Sequence, residues 1–112
     1  MAISGIGIDI EDIGRFRRLS FQKNKEFYQR IFNEEEIAYC RSKKDPAQHF
    51  AARFCAKEAF IKASPVKISD YKSMVVLVKK GKPCLLWKGK KALLSLTHDK
   101  DKAAAVVILE EI

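Results

Sequence analysis

Apolar positions alternate strictly near the start of the chain. Ile6, Ile8 and Ile10 take every second position, with Gly5, Gly7 and Asp9 between them. A period of two predicts a strand over residues 3–10, with the glycines and the carboxylate sharing one face. The spacing then changes. Ile13, Phe16 and Leu19 recur at helical intervals among Arg15, Arg17 and Arg18. Gln22 to Glu26 is polar and reads as a turn, and Phe27 to Phe32 as a short amphipathic stretch. Asn33 followed three residues later by Glu36 forms a capping box, and Glu34 and Glu35 suit the positive end of the helix it opens. That helix runs to about Ser42. Asp45-Pro46 then opens another, with Asp as cap and Pro at the first position. Its body, AQHFAARFCAKEAFIKA, stops near Ser64-Pro65.

Beyond Pro65 the pattern turns to short β-rich runs: Met74 to Val78, Cys84 to Trp87, Ala92 to His98 and Ala103 to Leu109. Turn chemistry separates them at Gly81-Lys82-Pro83, at Lys88-Gly89-Lys90 and at Asp99 to Lys102. No repeat, low-complexity tract or linker interrupts the chain. The expected architecture is α+β, one domain over residues 1–112. It has an N-terminal strand, two or three helices, then an antiparallel β-meander.

Charge narrows the partners. The 112 residues carry 22 Lys+Arg against 14 Asp+Glu, a net charge of +8. Such a surface attracts anions: nucleic acid, acidic membrane, phosphorylated metabolites or an acidic protein. Cys40, Cys55 and Cys84 are odd in number and form no CxxC pair, so they read as free, buried thiols of a reducing compartment. His49 and His98 show no zinc-ligand spacing with them. There is no signal-peptide pattern and no apolar run near the ~20 residues of a membrane-spanning helix, so the expected location is the cytoplasm.

Two carboxylates stand out. On a helical wheel Phe50, Phe54 and Ile61 form an apolar stripe bordered by Ala47 and Ala51, and Glu58 falls against its edge. A carboxylate there needs a partner, because burying it alone is costly. Lys62, one turn on, could pair with it on the helix surface. Asp9 is the other anomaly, since propensity disfavours aspartate within a strand. Gly5 and Gly7 beside it suit close approach of another backbone or a ligand. If that face meets the alanine-rich side of the long helix, Asp9 and Glu58 meet. A divalent cation between them would relieve their repulsion, in the style of a magnesium site completed by substrate phosphates. Arg53, Lys57 and Lys62 on the same helix suit those phosphates. His98, Arg15, Arg17, Arg18 and the turn lysines read on their own as structural or solvated residues.

Together GIGIDIEDIGRF, ARFCAKEAFIKA, GKP and LSLTHDKDKAAAVVILE resemble, in order and approximate spacing, the bacterial holo-acyl-carrier-protein synthases, the short phosphopantetheinyl transferases. The resemblance covers nearly the whole chain. It implies transfer of 4′-phosphopantetheine from coenzyme A to a serine of apo acyl carrier protein, with release of adenosine 3′,5′-bisphosphate. It also implies a Mg²⁺ requirement and a homotrimer with active sites at subunit boundaries. By resemblance Asp9 and Glu58 are the metal ligands and Lys62 the active-site lysine. Arg53 and His98 belong by resemblance to the coenzyme A pocket, to which Lys57 is added for its place on the helix, and Arg15 and Arg18 meet the acidic carrier protein. Glu58, or a metal-bound water beside it, is the candidate base. One segment departs from the family: Ala63-Ser64-Pro65-Val66 replaces a glycine-rich loop, and the stretch to Tyr71 is short. The competing readings are a family scaffold that has lost catalysis and a small basic nucleic-acid-binding module. No nucleic-acid motif supports the second.

Overall fold

The computed structural model describes residues 2–111. The alternating segment forms β1 (Ile3–Asp12). Three short helices follow, α1 (Ile13–Arg18), α2 (Lys25–Ile31) and α3 (Glu34–Arg41), then the long α4 (Pro46–Ala63). A 3₁₀ turn at Tyr71–Ser73 leads into β2 (Met74–Lys79), β3 (Lys82–Trp87), β4 (Lys90–His98) and β5 (Lys102–Glu110). The fold is α+β, with all five strands in one antiparallel sheet of order β1-β5-β4-β3-β2. The meander β2 to β5 is closed by β1, which pairs with β5.

Local chemistry explains most boundaries. Asn33 accepts from the Glu36 N–H while Glu36 accepts from the Asn33 N–H, which completes the capping box of α3. The cap expected at Asp45 is not made. Its carboxylate instead accepts from Arg17 Nη2 at 2.6 Å, so Pro46 at the first turn carries the start of α4 alone. The hairpin turns are Lys80-Gly81 and Lys88-Gly89, where all four residues have positive φ. That is the two-residue turn whose twist matches the flanking strands.

Helix α4 is the hub. Ala47, Phe50, Ala51 and Phe54 pack with Ile13, Phe16, Tyr28, Phe32 and Ile37 of the helical layer. Cys55, Ala56, Ala59, Phe60 and Ala63 pack with Met74, Val76, Leu85, Ala105 and Val107 of the sheet. The glycines of β1 belong to this contact. A Cβ on Gly7 would stand 1.9 Å from the Ala59 carbonyl oxygen, and one on Gly5 2.0 Å from that of Ala63. So the Gly5–Gly7–Asp9 face lies directly on the alanine side of α4, and the glycines clear space for the helix backbone. The isoleucines face outward: Ile6, Ile8 and Ile10 are 67%, 68% and 65% exposed.

Candidate active site

The seam between β1 and the last turns of α4 collects acidic groups. Asp9 points into it. Its backbone carbonyl accepts from the Cys55 thiol at 3.1 Å. Its Oδ1 accepts from Lys62 Nζ at 3.2 Å, and the same ammonium donates to the Ile8 carbonyl at 3.1 Å. Asp9 Oδ2 is buried and has no hydrogen-bond partner. The surface pair Glu58–Lys62 is not formed; Lys62 crosses to β1 instead. Glu58 Oε1 accepts the hydroxyl of Tyr71, at the start of the 3₁₀ turn.

Glu11 joins the same face, two residues beyond Asp9. Burial first, then the neighbouring Asp9, push its carboxyl up to about 8; Arg15 pulls it down and Glu58 pushes it up. The Tyr71 phenol is raised to about 12 by burial and then by Glu58, with Glu11 and Asp9 adding to it. Three carboxyl groups thus influence one seam, which Lys62 enters at Asp9 and Arg15 borders at Glu11. An orphaned, buried carboxylate oxygen beside a second carboxylate fits a divalent cation. Among the described residues no three His, Cys, Asp or Glu side chains converge into a full ligand set. Asp9 and Glu58 suit Mg²⁺ in particular, since it needs only one or two carboxylates and takes waters and phosphates for the rest.

The remaining expected residues are spread over α4, α1 and the end of β4. Lys57 is withdrawn from coenzyme A: its side chain is fully buried, and Nζ donates to Glu36 Oε1 and the Ile31 carbonyl at 2.7 Å and to the Tyr71 carbonyl at 3.1 Å. The cause is that α4 is covered on nearly every side, so position 57 meets Glu36 rather than solvent. Arg53 is 4% exposed, with its guanidinium 4.1 Å from the Tyr39 ring centre. It borders a cavity of about 190 Å³ together with Asn33, Glu35 and Val78. His98 lies at the end of β4, its Nε2 2.8 Å from Gln48 Nε2 in the first turns of α4. Arg53 and His98 therefore stand toward the opposite half of α4 from Glu58 and Lys62. Arg15 lies over the Phe54 ring and 3.7 Å from Glu11, and Arg18 pairs with Asp12 at 3.5 Å; both remain accessible. Sequence reasoning missed Glu11, which the alternation from Asp9 could have flagged. It also missed Tyr71, whose approach to Glu58 depends on the route of the 64–70 loop.

Comparisons with known proteins bear on the family and the fold. The family model described as the 4′-phosphopantetheinyl transferase superfamily matches residues 5–108. A holo-[acyl-carrier-protein] synthase of Geotalea daltonii is 41% identical over 97% of this chain and 99% of its own. Among solved structures, a holo-(acyl-carrier-protein) synthase from Bacillus anthracis in complex with CoA (3′,5′-ADP) superposes with a TM-score of 0.84 at 32% identity, covering 98% of each chain. The Helicobacter pylori holo-[acyl-carrier-protein] synthase in complex with coenzyme A gives 0.82 at 26% identity, over 94% of this chain and 99% of that one.

Proposed function

The chain belongs to the 4′-phosphopantetheinyl transferase superfamily, and from that premise we propose that it moves 4′-phosphopantetheine from coenzyme A to a serine of an acidic apo acyl carrier protein. The observation that supports the reading is the β1–α4 seam, where Lys62 reaches Asp9, and where Glu58 and Asp9 both bear on Glu11 and Tyr71; Asp9, Glu58 and Lys62 stand at the positions that resemble the family motifs. The serine oxygen attacks the pantetheine-side phosphorus, the bond to the bridging oxygen breaks, and adenosine 3′,5′-bisphosphate leaves. Such a transfer asks the protein chiefly for alignment and charge neutralisation. Asp9 and Glu58 would hold Mg²⁺, which supplies Lewis-acid neutralisation of the pyrophosphate when bound. Lys62, already turned toward Asp9, reaches the same region with an ammonium that can meet phosphate oxygens. Glu58 is the candidate base for the serine proton, directly or through a water.

The basic surface supports an acidic partner and a phosphorylated substrate, with Arg15 and Arg18 near the seam offering the carrier contact. A homotrimer with shared active sites is part of the proposal. Its support is the outer sheet face, where Ile6, Ile108 and Leu93 align across three strands beside Ile8 and Ile10. Three free, buried cysteines suit a cytoplasmic location. The test is to incubate the protein with coenzyme A, Mg²⁺ and apo carrier protein and weigh the carrier. A phosphopantetheine-sized gain supports the transferase. Coenzyme A binding without a gain indicates a scaffold that has lost catalysis.

A further inference from the structure

Residues 57 and 58 of α4 are neighbours that hold opposite ends of one residue, Tyr71. Lys57 points inward, and its ammonium holds the Tyr71 backbone carbonyl at 3.1 Å. That ammonium is itself fixed by Glu36 Oε1 and the Ile31 carbonyl, both at 2.7 Å. Glu36 Oε2 in turn accepts from the Val76 N–H of β2 at 2.9 Å. Glu58 lies at the edge of the same helix and receives the Tyr71 hydroxyl on Oε1. Between these two ends the Tyr71 ring lies parallel to Phe54 within 6°, with centroids 5.9 Å apart. Tyr71 is gripped at its carbonyl, its ring and its hydroxyl, and every grip comes from one turn of α4, residues 54 to 58.

We propose that Tyr71 is a positioning residue for Glu58: it occupies Oε1 and so presents Oε2 to the seam that Asp9 lines. The proposal rests on the reading of Asp9 and Glu58 as cation ligands. Among the described residues no hydrogen bond reaches Glu58 Oε2, so the phenol hydroxyl alone orients the carboxylate. A glutamate at a helix edge otherwise spends its rotamer freedom, and a ligand held in one orientation by an outer partner binds metal more tightly than a free one. The short Ser64 to Asp70 loop is the device that delivers the phenol. Ser64 Oγ closes only its first turn, accepting from the Val66 N–H at 3.2 Å and donating to the Val66 carbonyl at 2.9 Å.

Tyr71→Phe tests this, because it keeps the stack on Phe54 and deletes only the hydroxyl. Wild type and variant are titrated with Mn²⁺ in the presence of coenzyme A and the absence of carrier protein, with free Mn²⁺ read from its paramagnetic resonance signal. The Mn²⁺ dissociation constant should rise about tenfold in the variant. The KM for coenzyme A, measured at saturating cation, should stay within about twofold, which a general loosening of the fold would not produce. Equal Mn²⁺ affinity in the two proteins overturns the assignment of Tyr71 and leaves the ligand roles of Asp9 and Glu58 standing. A wild type that binds no Mn²⁺ overturns both.

Discussion

Lys62 Nζ stands 3.2 Å from Asp9 Oδ1, so an ammonium that is 56% exposed neutralises a carboxylate that is only 10% exposed. The pair ties the last turn of α4 to the middle of β1. The ammonium can swing to incoming phosphates; the carboxylate cannot leave. Lys62→Gln should therefore lower pantetheine transfer by about 10²-fold, the scale of losing one charge-stabilising donor. The Mg²⁺ concentration for half-maximal rate should not rise, because the lysine and the cation neutralise the same carboxylate. A variant within about threefold of the wild-type rate would contradict the role.

The glycines of β1 set the depth of that seam. Gly7→Ala would drive a methyl group to 1.9 Å from the Ala59 carbonyl oxygen, a backbone atom that cannot rotate away. Overpacking of this kind costs about 3 kcal/mol or more. Chemical denaturation should show it as a lower midpoint, whereas Gly81→Ala, at an open turn, costs only the strain of a positive φ. Equal stability of Gly7→Ala and wild type would disprove the close approach.

The acidic seam predicts a pH dependence of stability in protein freed of divalent cations. The Glu11 carboxyl moves from an ordinary 4.5 to about 8 on folding, raised by burial, Asp9 and Glu58 against the pull of Arg15. Between those values the folded state keeps a proton that the unfolded state has released. Stability must therefore fall as pH rises through that window. The thermal midpoint of wild type relative to Glu11→Gln should drop across it, and Mg²⁺ should restore it. A difference that stays flat or grows with pH would show that Glu11 does not sense the other carboxylates.

The outer sheet face predicts assembly. Ile8 is 68% exposed in the isolated chain, between two isoleucines of similar exposure. Ile8→Asp should shift the molar mass measured by light scattering from trimer to monomer while leaving the circular dichroism unchanged. A wild type that is itself monomeric would remove the trimer from the account.

Much of this was legible in the sequence. The capping box at Asn33, the extent of α4 and the run of four β segments all follow local rules, and local rules held there. The pairing of Asp9 with the long helix was readable because glycine and alanine both signal close backbones. What escaped depends on which way α4 rolls. Lys57 looked like a phosphate ligand on the wheel, yet a helix buried on nearly all sides turns even a lysine inward when a carboxylate such as Glu36 awaits it. Arg53 lies against the Tyr39 ring and borders a cavity. Tyr71 had no sequence signal, since its partner sits across a loop whose path no local preference dictates.

The measurement that bears most directly on the central claim is pantetheine transfer as a function of Mg²⁺ in wild type, Asp9→Ala and Glu58→Ala, read as the mass of the carrier protein. Wild type should show a cation-dependent gain of one phosphopantetheine. Both variants should keep the circular dichroism of the wild type and leave the carrier unmodified at saturating cation. Transfer by either variant at the wild-type rate, or by wild type without any divalent cation, would contradict the assignment of Asp9 and Glu58.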